Sequence, residues 1–138
     1  MELTKTFRFE ASHVLPKHSG KCSRLHGHSW VLHVSVQGPI NPTTGFVQDF
    51  ADISAVVQPL IARLDHRHLG TWYNIDDNAQ TTEWLVFGLK YDFYPTSENL
   101  LVWIGLQLKD QLDWSTLSIE ETCTSRATLT REEYEGKT

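Results

Sequence analysis

At 138 residues the chain is long enough for one buried core and too short for two, so a single domain over residues 1–138 is expected. Its 40% hydrophobic and 21% charged residues are those of an ordinary soluble domain, and a formal charge of −5 without a Lys/Arg cluster excludes a general nucleic-acid binder while leaving a small anionic substrate open. No apolar run approaches the roughly 18 residues of a membrane span and the N-terminus lacks the pattern of an export signal, so no membrane partner and a cytoplasmic location are expected.

Chain order begins with a strand over Leu3 to Ala11, where Leu3, Lys5, Phe7, Phe9 and Ala11 share one face. A polar, somewhat basic loop from His13 to Leu25 follows, and then His26 to Val36, rich in β-branched and aromatic residues, reads as a second strand that would pair with the first as a long hairpin. The turn-rich stretch Pro39 to Gly45 leads to a helix from about Ala51 to Leu64, with Asp49 or Asp52 near its N-terminus and Pro59 as a bend or a tolerated gap in its hydrogen bonds. A second helix starts with Thr96 or Ser97 as cap and uses Leu100, Leu101, Ile104, Leu108 and Leu112 as its apolar face. Leu117 to Thr124 and Ala127 to Thr130 read as short strands, followed by a charged tail from Arg131. The order is strand, strand, helix, helix, strand, strand, an α+β arrangement. Gly70 to Phe93, holding Trp72, Tyr73, Trp84, Phe87, Tyr91 and Phe93, fits neither period and is expected to pack onto the sheet or a neighbouring subunit, with a lid over substrate as the alternative.

Chemistry concentrates in Cys22-Ser23-Arg24-Leu25-His26-Gly27-His28. On a strand, residues i and i+2 point to one face, so His26 and His28 converge, and Gly27 between them leaves the other face open to a close approach. His13, where the first strand ends, completes a three-histidine cluster if the two strands are antiparallel neighbours. Three imidazoles with an open fourth position describe a catalytic zinc (Zn2+) site. Cys22 reads as fourth ligand, as base or nucleophile, or as an inert thiol, and a thiolate beside a cationic metal would have a depressed pKa. At the end of the first helix Asp65 can orient His66 for acid–base work. His68, two residues on, is expected at the surface, with a second metal ligand as the alternative. Glu120 and Glu121 point to opposite faces of one strand, so that one is solvated and the other can offer a pocket two acceptors for a guanidine-like ring edge.

Phe9-Glu10-Ala11-Ser12-His13, Cys22-x-x-x-His26-Gly27-His28, Leu64-Asp65-His66, Pro95-Thr96-Ser97-Glu98-Asn99 and Glu121-Thr122-Cys123-Thr124 together resemble the 6-pyruvoyltetrahydropterin synthase superfamily. The short spacing between Cys22 and His26 resembles its carboxy-forming branch, the 6-carboxy-5,6,7,8-tetrahydropterin synthases, more than the pyruvoyl-forming animal enzymes. The resemblance runs from about Leu3 to Leu129 and is interrupted by the Gly70 to Phe93 region. It implies the tunnelling or T-fold, a four-stranded antiparallel sheet with two helices on one face, whose subunits close into a barrel as trimers and pair into hexamers. It further implies that His13, His26 and His28 bind zinc, that Cys22 accepts a proton, that Asp65 and His66 form a relay reaching in from a neighbouring subunit, and that Glu121 anchors a pterin. Thr96 and Ser97 match the segment lining the pterin pocket. The implied reaction is lyase chemistry in 7-deazaguanine (queuosine) biosynthesis, from 7,8-dihydroneopterin triphosphate to 6-carboxytetrahydropterin, acetaldehyde and triphosphate. Arg24, with Lys17 and Lys21 nearby, could receive the triphosphate, and Cys123 reads as structural or pocket-lining. Rival readings are the pyruvoyl-forming sister enzyme, a zinc hydrolase with no need of Cys22, and a non-catalytic metal-binding protein.

Overall fold

The computed structural model describes residues 1–15, 17–70 and 94–136. The aromatic-rich region expected as an interface or a lid therefore lies outside the described residues, apart from Gly70. In chain order the elements are β1 (Glu2–His13), a 3-10 turn (Lys21–Ser23), β2 (His26–Gln37), α1 (Phe50–Leu64), β3 (Arg67–His68), α2 (Ser97–Leu108), β4 (Trp114–Thr122), β5 (Ser125–Thr130) and α3 (Arg131–Tyr134).

β1 and β2 form the expected antiparallel hairpin, in unbroken register from Glu2 opposite Gln37 to His13 opposite His26. Their alternation fixes the faces: Phe7, Phe9 and Ala11 point inward with Trp30, Leu32 and Val34, while Thr6, Arg8 and Glu10 stay outside. The sheet among the described residues runs β3-β1-β2-β4-β5. It differs from the expected four-stranded antiparallel sheet by the two-residue β3, which pairs parallel to β1 at Ala11 and Ser12. A strand that short has no period of its own to read. It forms because the chain leaving α1 meets the free edge of β1.

α1 packs on β1, and α2 packs on β4 and β5. Asp49 caps α1 by accepting from the Ala51 N–H at 2.8 Å, and Ile53, Val57, Leu60, Ile61 and Leu64 form the buried stripe. Pro59 lies inside the helix on its exposed side, where the carbonyl it leaves unbonded can reach water. Thr96 caps α2 by accepting from the Asn99 N–H, and the expected apolar face is joined in burial by Trp103. The stretch expected as a charged tail folds instead into α3, because Thr130 and Glu133 close a capping box. Tyr134 then packs edge-on against Trp114, with ring centroids 5.3 Å apart.

Candidate active site

The hairpin register brings three imidazoles to one end of the sheet. His13 faces His26 across the last pair of the ladder, and His28 sits two residues along on the same face of β2. One ligand atom from each of His13, His26 and His28 can be chosen so that all lie within 4.8 Å of one another. Beneath them Trp30, fully buried, donates its indole N–H to the Ala11 carbonyl at 3.1 Å and sets its ring edge-on to His13 and His28.

Two main-chain carbonyls fix the rings. His13 Nδ1 donates to the Pro95 carbonyl at 2.8 Å and His26 Nδ1 to the Arg24 carbonyl at 2.7 Å, which leaves each Nε2 with a lone pair. His26 Nε2 is buried with no hydrogen-bond partner among the described residues, and His28 Nε2 lies 3.1 Å from His13 Nε2. A proton on His28 would satisfy His13 and still orphan His26. A shared cation satisfies all three, so the donor set fits a divalent metal. Burial, reinforced by the neighbouring histidines, lowers the His13 pKa to about 4, and burial also lowers that of His28. Both rings are therefore neutral at pH 7, the protonation state a metal ligand needs.

Glu121 approaches the cluster from the β4 side, its Oε1 being 3.5 Å from His13 Nε2 and 3.9 Å from His28 Nε2. On the β3 side Asp65 caps the end of α1 and His66 follows with φ of 58°, a left-handed conformation. That turn is held by β1: Glu10 N–H donates to Asp65 Oδ1 at 2.8 Å and His66 N–H donates to the Glu10 carbonyl at 2.6 Å. Asp65 Oδ2 then lies 3.0 Å from His66 Nδ1. The Glu10 N–H, followed by the contact with His66, holds the Asp65 carboxyl below its ordinary pKa. A carboxylate accepting at Nδ1 leaves His66 Nε2 free to exchange a proton. A cavity of about 390 Å³ lies here, lined by Glu10, Ser12, Gly27, His28, His66 and Arg67 among others.

The remaining sequence candidates are placed less centrally. Cys22 is half-buried in the 3-10 turn, where its carbonyl accepts from the Leu15 N–H, and its thiol is not part of the converging group. The Arg24 side chain is exposed, and it is its carbonyl that serves the cluster. Thr96 and Ser97 open α2 directly after Pro95, the residue that holds His13. Lys17 is tied to the same segment, its N–H donating to the Tyr94 hydroxyl and its ammonium lying 5.3 Å from the Tyr94 ring centroid. Cys123 is exposed in the turn between β4 and β5. His68, expected at the surface, is instead 1% exposed, with Nδ1 2.9 Å from Ser12 Oγ, because β3 carries it under the sheet edge. The only sequence signal for that burial is the apolar Leu69 beside it. Sequence reasoning also misses Pro95, whose contribution is a carbonyl.

Residues 2–132 match the family described as 6-pyruvoyl tetrahydropterin synthase. The chain is 37% identical over 130 residues to a 6-carboxy-5,6,7,8-tetrahydropterin synthase from Synechocystis sp., covering 89% of this chain and 88% of that one. It is 32% identical over 104 residues to a dihydroneopterin monophosphate aldolase from Pyrococcus furiosus, covering 75% of this chain and 71% of the relative. Among solved structures, the 6-pyruvoyl tetrahydropterin synthase of Caenorhabditis elegans superposes with a TM-score of 0.73 at 23% identity over 94% of both chains, a likeness of fold.

Proposed function

The chain belongs to the 6-pyruvoyl tetrahydropterin synthase family, and from that membership we propose that it is a zinc-dependent 6-carboxy-5,6,7,8-tetrahydropterin synthase. Its substrate is 7,8-dihydroneopterin triphosphate and its products are 6-carboxytetrahydropterin, acetaldehyde and triphosphate, in 7-deazaguanine (queuosine) biosynthesis. The observation that carries this reading is the buried His26 Nε2, without a hydrogen-bond partner among the described residues, beside two imidazoles aimed at the same point, with Glu121 alongside.

His13, His26 and His28 would hold the zinc, which when bound would supply a Lewis acid to polarise a side-chain hydroxyl of the substrate and acidify the neighbouring C–H. Cys22 accepts the proton released there. Asp65 keeps its proton donor at His66 Nδ1, so that His66 Nε2 gives and takes protons as the side chain is cleaved. The His66 side chain is 79% exposed, which suits a relay that serves the site of a neighbouring subunit in a homo-oligomer, a hexamer built as a dimer of trimers. Glu121 accepts from the pterin ring edge and fixes which carbon faces Cys22, Thr96 and Ser97 line the ring pocket, and Arg24 meets the triphosphate.

The test is incubation of zinc-quantified protein with 7,8-dihydroneopterin triphosphate, following carbonyl and pterin products by mass, with Cys22→Ala alongside. Acetaldehyde with a 6-carboxy pterin, both lost in the variant, is the expected result. A pyruvoyl pterin would replace this reading with the sister activity. A phosphorylated two-carbon aldehyde would replace it with cleavage of the kind named for the Pyrococcus relative, and zinc binding without turnover would leave a metal-binding protein.

A further inference from the structure

We propose that Glu120, clamped by His33 and Arg126, is a positioning residue that aims Glu121; the proposal rests on the reading of Glu121 as the pterin anchor. The two carboxylates are neighbours on β4 and point to opposite faces of the sheet. Glu121 reaches the histidine cluster, whereas Glu120 lies on the polar face with Thr6, Arg8 and His33.

Glu120 is where the regular sheet ends. It is the last residue of β4 in register with β2, opposite Val31, and it also pairs with Arg126 of β5. Beyond it the β4–β5 register shifts and resumes at Thr122 opposite Ser125, so Glu121 has no register partner on either side. The direction of its side chain is therefore set by the paired residues that flank it, Thr122 after it and, before it, Glu120.

That residue is fixed unusually well. Glu120 Oε2 accepts from His33 Nε2 at 2.7 Å, and Oε1 accepts from Arg126 Nη2 at 3.2 Å. With the His33 proton on Nε2, Nδ1 accepts from the Thr6 hydroxyl at 2.9 Å. One chain of polar contacts thus crosses β1, β2, β4 and β5. The hydrogen bond from His33, followed by that from Arg126, holds the Glu120 carboxyl below its ordinary pKa, so it is ionised and acceptor-only at neutral pH. Arg126 is half exposed, where an ion pair adds little to stability, so the clamp serves geometry more than stability. A cavity of about 450 Å³, lined by Arg8, His33, Glu120, Glu121, Thr122 and Cys123 among others, lies alongside the clamp.

The test is a double-mutant cycle on the zinc-loaded full chain with Glu120→Ala, Glu121→Gln and the double variant. Each is read by kcat and KM, by affinity for a pterin lacking the side chain, by metal content and by melting temperature. Glu120→Ala is expected to raise KM and weaken pterin affinity by about tenfold while metal content and melting temperature hold, and the double variant is expected to be no worse than Glu121→Gln alone. Glu120→Gln, which keeps the shape and one acceptor, should recover most of the affinity. Additive effects, or a loss of affinity that follows metal content and melting temperature, would overturn the positioning role and leave the activity reading standing. If the wild type binds the pterin but turns nothing over, the activity reading fails and the same cycle in affinity still decides the positioning role. No pterin binding by the wild type removes both.

Discussion

Glu10 and Asp65 meet across 55 positions of sequence through two bonds of opposite sense. The Glu10 N–H donates to the Asp65 carboxylate, and the Glu10 carbonyl accepts from the N–H of the next residue, His66. A free sheet edge therefore supplies both the acidity of Asp65 and the left-handed turn that points its imidazole. Asp65→Asn keeps an acceptor for Glu10 and loses the charge on His66. It should lower kcat by about 10²-fold with little change in melting temperature, whereas Asp65→Ala should also cost about 1 kcal/mol of stability in urea melts.

Acid should destabilise the metal-free protein in a defined window. His13 has a pKa of about 4 in the fold against an ordinary 6.5. Between those values the unfolded chain binds a proton that the folded chain refuses, so stability is complete above pH 6.5 and falls as pH drops toward 4. For one proton the slope approaches about 1.4 kcal/mol per pH unit, and His28, shifted in the same direction, steepens it. Urea melts of chelated protein across this range should show that slope, and a flat profile would contradict the burial of a neutral His13.

Metal should add stability through the same rings. Zinc at a hundredfold excess over its Kd is expected to stabilise the fold by about 2.7 kcal/mol. His26→Ala should abolish most of that increment. Without metal the variant should lose only about 1 kcal/mol, since the bond from His26 Nδ1 to the Arg24 carbonyl is its main loss among the described residues. Thermal melts with and without zinc check both arms.

Gly105 on α2 is a packing glycine. A Cβ there would lie 2.9 Å from Trp114 Cζ2 and 3.3 Å from the Tyr134 ring. Gly105→Ala gains about 1 kcal/mol of helix propensity and sets against it about 1–3 kcal/mol of overpacking, because the indole is fully buried. A net loss of stability with altered tryptophan fluorescence is expected, while zinc binding is unchanged.

The hairpin and both long helices are legible in the sequence because each buries one face over several periods, and His13, His26 and His28 follow from strand parity once β1 and β2 are paired. What stays hidden is local in a different sense. β3 has two residues and exists only because Ala11 and Ser12 present an open edge, so His68 reads as surface until that edge is known. Thr130-Arg131-Glu132-Glu133 spells a capping box, a signal that reading this stretch as a charged tail leaves unused. Parity tells that Glu120 and Glu121 diverge, but not that the register shifts between Glu120 and Thr122. Cys22 shows the limit of proximity in sequence: four positions from His26, it sits in a 3-10 turn and its thiol is not among the ligand atoms that converge.

The anchors of His13 and His26 are the carbonyls of Pro95 and Arg24. Every amino acid carries that group, so the aim of two metal ligands is written in the path of the chain and not in the identity of any side chain. Substitution at position 24 can drift without cost to the His26 ring as long as the loop keeps its course. An insertion or deletion between position 24 and His26, or one that shifts the entry into α2, would turn a ligand away while leaving every histidine in place. For this centre the length of the loops is under tighter constraint than their composition.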